Sequence, residues 1–265
     1  MTAACAEASR VAVRASAVSH GSRMVAEEVA IAMVYDGSTH AVLMATPADL
    51  HDFALGFSLT EGVIDHPDDL VELDVVEQPG GLELRMWLAG ARAQDFRNRR
   101  RALIGPTGCG LCGVESLAEA SRPPLRVHAS PAFSPSDLSL AIALLDGQPL
   151  GALTRSVHAA GLWTAKAGLV AVREDVGRHN ALDKLAGALL AAGEPAGEGM
   201  LLLTSRVSVE MVQKAARMGV GVLAALSAPT ALALRVADAA GITLAAIARR
   251  DGFEVFTHPH RLGLA

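Results

Sequence analysis

The sequence predicts an α/β protein with two unlike parts, a small α+β domain followed by a three-layer αβα domain. In the second half, continuous apolar strands alternate with helices, which is typical of a mostly parallel sheet covered on both faces. In the first half, short strands with alternating apolar residues are joined by tight turns, which indicates hairpins. A chain of 265 residues has room for one large domain or two small ones.

The first part is expected to contain two hairpins and one helix. Residues 1–22 show no clear period and predict a flexible tail, and residues 23–120 form the small domain. Thr46, Pro47 and Asp49 indicate a helix start with a capping hydroxyl, a proline in the first turn and an acid three positions on. The predicted strands are 29–35, 40–45, 70–77 and 82–88, and the predicted helix is 46–60.

The second part, residues 121–265, begins with a proline-rich connection and then alternates helix and strand. Leu182, Leu185 and Leu189 lie on one helical face and predict an inward-facing stripe. The predicted helices are 136–145, 180–192, 209–218 and 230–240, and the predicted strands are 169–172, 200–204, 220–226, 242–248 and 253–257.

Composition excludes several classes of protein. The net charge is −5 and aromatic residues make up only 3%, which argues against a nucleic-acid-binding protein. The weakly charged stretch 219–234 is too short for a membrane helix, and the start of the chain lacks the apolar core of a secretory signal. Three cysteines are too few for a disulfide scaffold, so the cytoplasm is the expected compartment.

Two thiols, Cys109 and Cys112, lie three positions apart between glycines and just after a basic run at residues 97–101. Nearby cations favour the thiolate, which is the nucleophilic form. Three interpretations of the cysteine pair stay open at this point. The pair can be buried and structural, it can bind zinc with His128 or His158 completing the site, or it can perform thiol redox or sulfur-transfer chemistry.

Polar residues follow three successive strands of the predicted sheet, the last of them at residues 227–230 after the strand at 220–226. Arg178, His179 and Lys184 come after the strand at 169–172, and ligands bind outside the carboxyl ends of such strands. Ser205 and Arg206 follow the next strand, where hydroxyls and free backbone amides can hold a phosphate. We therefore expect a shared ligand with phosphates. The alternative is a solvated loop with Asp175 as a helix cap, and no P-loop or dinucleotide fingerprint supports ordinary ATP or NAD use.

These segments resemble the FdhD family of formate dehydrogenase accessory sulfurtransferases. The resemblance rests on residues 99–113, 174–184, 205–219 and 257–262, and weaker similarity extends from about residue 29 to the end. It implies a homodimer and a C-terminal domain similar to cytidine deaminase.

The resemblance also implies a function. Family members take persulfide sulfur from a cysteine desulfurase and pass it to the molybdenum bis(guanine dinucleotide) cofactor, which formate dehydrogenase then receives. Cys109 corresponds to the family's persulfide carrier and Cys112 to a helper or second carrier. The family's cofactor-binding loop corresponds to Ile247, Ala248, Arg249, Arg250, Asp251 and Gly252. No stoichiometric metal of the protein's own is expected.

Deaminase chemistry itself is not expected, because zinc deaminases need His-x-Glu and here Ala160 stands where that glutamate would be. Two other functions remain alternatives to sulfur transfer. One is a chaperone that binds the molybdenum cofactor while the cysteines are structural or ligate metal. The other is a small zinc-binding scaffold.

Overall fold

The computed structural model describes residues 3–15, 17–103, 124–128, 131–249 and 251–264, and for residues 97–103 it describes the backbone only. Within those ranges the strands form a two-stranded, a four-stranded and a six-stranded sheet. In that same part of the chain, no helix is both long enough and apolar enough to cross a membrane.

The chain starts with a hairpin, where we expected a flexible tail. Strands β1 (Cys5–Arg14) and β2 (Ala17–Ala26) pair antiparallel along their whole length. The prediction is wrong there. Backbone pairing holds the hairpin while most side chains on both of its faces are exposed, so the sequence shows no alternation of apolar and polar residues that would indicate a strand. Arg23 Nη2 donates to the Thr154 carbonyl oxygen at 3.3 Å and thereby ties the hairpin to the second part of the chain.

The four-stranded sheet confirms both predicted hairpins. Its strands are β3 (Val29–Tyr35), β4 (Ser38–Ala45), β5 (Leu70–Gln78) and β6 (Gly81–Leu88), in the order β4-β3-β6-β5. The parallel pairing of β3 with β6 joins the two hairpins into one sheet. Helix α1 (Leu50–Thr60) packs on it, and a helix absent from our prediction, α2 (Gly90–Leu103), follows β6.

The start of α1 differs in detail from the expected capping box. The residue before the helix is Asp49, which adopts a left-handed conformation with φ of 53° and makes no side-chain cap bond. The Thr46 hydroxyl accepts instead from the Val176 amide at 3.1 Å. A residue predicted as a local cap therefore joins the two domains.

The six-stranded sheet is mixed rather than mostly parallel. Strands β9, β10 and β11 pair parallel, whereas β7 pairs antiparallel with both β8 and β9, and β12 pairs antiparallel with β11. Strand β7 escaped prediction because small residues such as Ala160 and Gly161 carry little strand preference. In chain order the strands are β7 (His158–Thr164), β8 (Gly168–Asp175), β9 (Met200–Leu203), β10 (Val222–Ala225), β11 (Thr243–Arg249) and β12 (Gly252–Thr257).

Helices cover both faces of this sheet, which confirms the predicted three-layer architecture. One face buries an apolar core against α5, α6 and α7, and the other face packs against α3. The helices of this domain are α3 (Pro135–Leu145), α4 (Pro149–Thr154), α5 (Arg178–Ala192), α6 (Val209–Arg217) and α7 (Ala231–Ala240). Short 3₁₀ turns lie at Pro67–Asp69, Ala196–Glu198 and Pro259–Leu262.

The two domains are locked together through α1 and α5. A Cβ on Gly56 would lie 1.6 Å from the Asp183 carbonyl oxygen, and a Cβ on Gly187 would lie 1.8 Å from the Asp52 carbonyl oxygen. Only glycine allows backbones to approach this closely. The middle of α5 is thereby fixed against the small domain.

Candidate functional site: the carboxyl edge of the mixed sheet

The predicted ligand-binding segments converge on one edge of the six-stranded sheet. Because β8 and β9 are both antiparallel to β7, the strands β8, β9, β10 and β11 all end at this edge. The Leu226 amide donates to the Leu203 carbonyl oxygen at 2.9 Å, and the Ile247 amide donates to the Ser227 carbonyl oxygen at 3.3 Å. The three loops after β9, β10 and β11 are therefore neighbours, and the first two of them are among the strand ends that the sequence singled out. We call this set of loops, with the first turn of α5, the strand edge.

Asp175 ends β8 and bonds the residue that precedes α5 rather than the backbone amides of its first turn, so it is not the helix cap of the alternative interpretation. Its Oδ1 accepts from the Gly177 amide at 2.7 Å and from Asn180 Nδ2 at 3.0 Å. Its Oδ2 accepts from the Thr46 amide at 3.0 Å and lies 2.6 Å from Lys184 Nζ. The carboxylate is fully buried with both oxygens engaged, so it organises the site without facing a ligand.

Lys184 is a correction to the predicted set of ligand donors. Its side chain has no exposed surface, and its ammonium also donates to the Thr46 carbonyl oxygen at 2.8 Å. The position lies almost two turns into α5, on the face packed against the small domain. Lys184 therefore acts on the strand edge through Asp175 and cannot contact a phosphate itself.

Arg178 and His179, in the first turn of α5, remain as candidate donors. Both side chains are half-buried, and the residue preceding the helix, Gly177, supplies no side-chain cap. Arg178 Nε and His179 Nε2 are buried atoms without a hydrogen-bond partner among the described residues. A buried donor without an acceptor costs free energy, so these two nitrogens are candidates for contact with an acceptor beyond the described residues.

The His179 imidazole is electrically neutral at pH 7. Burial lowers its pKa, and the neighbouring Arg178 guanidinium lowers the pKa further. Its Nε2 lies 3.5 Å from Glu210 Oε2, which is an ion-pair distance and too long for a strong hydrogen bond. Burial alone raises the pKa of Glu210, but the Ser208 hydroxyl, which donates to it at 2.8 Å, helps to bring that pKa below its usual value.

The loop between β9 and α6 supplies the second predicted group. Ser205 is buried and its hydroxyl donates to the Arg206 carbonyl oxygen at 3.2 Å, whereas the Arg206 side chain is exposed. Ser208 precedes α6 and makes no side-chain bond to its first amides, because its hydroxyl is directed to Glu210. Helix α5 thus presents an N-terminus without a side-chain cap at the strand edge, whereas the first turn of α6 carries the Glu210 carboxylate, which accepts from its own backbone amide.

The last predicted segment, residues 247–252, borders the same edge. Ile247 has φ of 54°, an uncommon conformation for a β-branched residue, and it lies in a register shift between β11 and β12. The Arg249 guanidinium donates to the carbonyl oxygens of Leu226 and Ala248. Ala248 is buried, and Asp251 and Gly252 are exposed.

Three predicted residues, Cys109, Cys112 and Arg250, lie outside the described residues, as do the side chains of the basic run at 97–101. Their roles stay predictions. In the ranges that the structure does describe, no group of three His, Cys, Asp or Glu side chains is arranged to hold a metal ion.

Two further residues at the strand edge were missing from the predicted set. Glu210 stood within a polar segment of the sequence, but only the structure pairs it with His179. His158 was considered solely as a zinc ligand and in the comparison with deaminases. It begins β7 and lies opposite Asp175 in the ladder, and a prediction of β7 as a strand would have placed it at this edge.

Several groups at the strand edge can favour an anion. The guanidiniums of Arg178 and Arg206 and the N-terminus of α5 attract negative charge, and the neutral imidazole of His179 can donate a hydrogen bond. The strain at Ile247 is typical of a segment that binds a ligand. An extended ligand with more than one phosphate matches this spread of donors.

Comparisons with known proteins bear on the family and the fold. Residues 26–263 match the model of the FdhD/NarQ family. The chain is 52% identical to a sulfur carrier protein FdhD from Agrobacterium fabrum over 96% of this chain and 94% of that one. It is 48% identical to a sulfur carrier protein FdhD from Cupriavidus necator, covering 90% of this chain and 83% of that one.

A solved structure shows the same architecture along nearly the whole chain. The crystal structure of a protein from Desulfotalea psychrophila, named as a formate dehydrogenase accessory protein, superposes with a TM-score of 0.74 at 25% identity. The superposition covers 97% of this chain and 99% of that one. With a family match that spans both domains and relatives at about half identity, this chain belongs to the FdhD/NarQ family.

Proposed function

We propose that the protein is a sulfurtransferase that carries persulfide sulfur from a cysteine desulfurase to the molybdenum bis(guanine dinucleotide) cofactor, for use by formate dehydrogenase. Family membership and relatives named as sulfur carriers support the sulfur-transfer role. The cofactor is the substrate of the transfer. A homodimer in the cytoplasm is part of the proposal and rests on the family resemblance.

One structural observation supports the proposed substrate. Arg178 Nε is a buried donor without an acceptor among the described residues, and His179 Nε2 has only the Glu210 carboxylate, at 3.5 Å; both residues lie at the N-terminus of a helix that has no side-chain cap. The dinucleotide arms of the cofactor carry phosphates, whose oxygens are strong acceptors for such groups. The donors therefore fit the substrate, with Ser205, Arg206 and the loop 247–252 contributing further contacts.

The sulfur step assigned to Cys109 is an exchange between a thiolate and a persulfide. The Cys109 thiolate attacks the outer sulfur of the desulfurase persulfide, a new S–S bond forms at Cys109, and the old S–S bond breaks. The desulfurase cysteine leaves as a thiolate, so no net oxidation occurs. Cys112 assists as a second carrier or as the thiol that helps release sulfur.

Mass spectrometry after incubation with a cysteine desulfurase and cysteine tests the carrier. We expect an added mass of about 32 daltons, one sulfur atom, on wild-type protein and none on Cys109→Ala. Cys112→Ala is expected to retain part of it. Cys5→Ala is the matched control, because Cys5 lies on the N-terminal hairpin and has no assigned role.

A second experiment, sulfuration of formate dehydrogenase by the cysteine variants, decides between sulfur transfer and the cofactor-binding chaperone. The chaperone predicts that a Cys109→Ala, Cys112→Ala double variant still supports sulfuration of formate dehydrogenase. Persistence of the sulfur adduct on Cys109→Ala contradicts the carrier assignment. Stoichiometric zinc bound through the two cysteines contradicts it independently.

A further inference from the structure

We propose that His158 is a further ligand-contacting residue of the strand edge, where its imidazole donates a hydrogen bond to the bound anion between Arg178 and Arg206. The inference rests on the proposed phosphate-binding function of this edge. It adds to that function a residue from β7, the strand that the sequence did not reveal.

The position of His158 follows from the sheet register. It is the first residue of β7 and pairs directly with Asp175, the last residue of β8. The next residue, Ala159, is tied to Thr204 by two bonds, from its amide to Thr204 Oγ1 at 2.9 Å and from the Thr204 amide to its carbonyl oxygen at 3.1 Å. His158 therefore lies between the end of β8 and the loop that carries Ser205 and Arg206.

The side chain lies on the face of the sheet that α5 covers. Side chains alternate along a strand, and Ala160, two residues on, belongs to the core beneath α5, α6 and α7. His158 thus shares a face with the first turn of α5, where Arg178 begins the helix.

The neighbouring carboxylate is already satisfied. Asp175 accepts hydrogen bonds from Thr46, Gly177 and Asn180 and pairs with Lys184, so it has little capacity left for an imidazole. Among the described residues, no hydrogen bond to the His158 ring is present. The ring is half-buried and has donor capacity to spare beside Arg178, whose buried Nε lacks a partner among the described residues.

The charges around His158 come from three elements: Asp175 in β8, Arg178 in α5 and Arg206 in the loop before α6. Burial lowers the pKa of His158, and the charges of Arg178 and Arg206 lower it further, although Asp175 opposes them. A neutral imidazole has one N–H to donate. His158 therefore adds a hydrogen bond without adding charge, which helps a site that must bind a phosphorylated molecule and later release it.

Calorimetric titration of the full-length protein with inorganic pyrophosphate tests this contact. We expect His158→Ala to bind pyrophosphate roughly tenfold more weakly, the loss of one hydrogen bond to a charged acceptor. His158→Gln keeps an N–H donor and is expected to recover most of the affinity. His51→Gln, at an exposed position on α1, is the matched control and should bind like wild type.

The affinity for sulfate, measured as a function of pH, is a readout that a purely structural role of His158 would leave unchanged. Sulfate keeps its charge between pH 5.5 and 7.5, so any change in affinity in this range comes from the protein. Wild type should bind sulfate more tightly at the lower pH as the imidazoles gain protons. His158→Gln should lose part of this gain, and His179→Gln a separate part. A full gain in His158→Gln overturns the proposal.

The outcomes separate this inference from the proposed function. If wild type binds pyrophosphate and His158→Ala binds it equally well, only the His158 assignment fails. If wild type does not bind pyrophosphate, the phosphate site itself fails. Thermal unfolding of each variant identifies loss of fold, and rescue by His158→Gln but not by His158→Ala identifies the hydrogen bond as the cause.

Discussion

The ammonium of Lys184 lies 2.6 Å from the carboxylate of Asp175, and both side chains are completely inaccessible to solvent. Through this pair α5 is connected to the end of β8 and, by way of Thr46, to the small domain. The sequence suggested Lys184 as a ligand donor, but its ammonium instead stabilises the junction between α5, β8 and the small domain.

Removal of one partner of this pair should destabilise the protein strongly. Lys184→Met leaves the buried Asp175 carboxylate without its counter-charge, which costs about 3–5 kcal/mol of unfolding free energy. Urea denaturation monitored by circular dichroism measures the loss. Lys166→Met, at an exposed position, is the control. A Lys184→Met variant as stable as the control contradicts the structural role.

The glycine contact between α1 and α5 gives a second prediction. Gly56→Ala places a methyl group 1.6 Å from the Asp183 carbonyl oxygen, so the helices must separate, at a cost of about 1–3 kcal/mol or more. Gly90→Ala is the control, because nothing lies within 4 Å of its added Cβ. Equal stability of the two variants in urea would show that the helices do not pack this closely.

The left-handed conformation of Ile247 predicts that glycine is more stabilising than alanine at this position, the reverse of the order expected inside a helix. At φ of 54° a glycine avoids the steric cost of a side chain, so Ile247→Gly should be more stable than Ile247→Ala by about 1 kcal/mol. At Ile142, inside α3, the order should reverse, because glycine in a helix is about 1 kcal/mol less stable than alanine. Thermal unfolding of the four variants checks both orders, and alanine proving better at both sites rules out the left-handed conformation at Ile247.

The two histidines at the strand edge predict a loss of stability in acid. Both have pKa values below 6.5 in the folded protein, so between their folded pKa and 6.5 the unfolded chain binds more protons. Their contribution is complete above pH 6.5 and decreases as the pH falls through that window. Urea midpoints between pH 5 and 7.5 should vary less in a His158→Gln, His179→Gln double variant than in wild type. An unchanged slope argues that both imidazoles titrate normally.

Sequence patterns predicted the elements whose burial follows a simple period. The alternation of Leu82, Leu84 and Met86 identified β6, and the stripe of Leu182, Leu185 and Leu189 identified α5. The convergence of Arg178 and Arg206 on one edge followed from strand direction alone. These predictions depend on local rules that the tertiary structure leaves unchanged.

Other features depend on partners distant in the chain. The sequence alone suggests Lys184 as an exposed donor, because its partners Asp175 and Thr46 come close only in the folded chain. Strand β7 is built around Ala159, Ala160 and Gly161, and it is buried by position rather than by strand preference. Without β7 in the prediction, His158 had no defined neighbours, so the sequence could not place it beside Arg178.

The two ends of the role of α5, contact with the strand edge and packing at the domain junction, have a consequence for genetic screens. Its first two residues face the strand edge, whereas Asp183, Lys184 and Gly187 lie buried at the junction with the small domain. A screen that scores only cellular formate oxidation would group substitutions at Lys184 with those at Arg178. Measuring the amount of folded protein in each mutant strain would separate the two classes, since only the junction variants should be depleted by proteolysis.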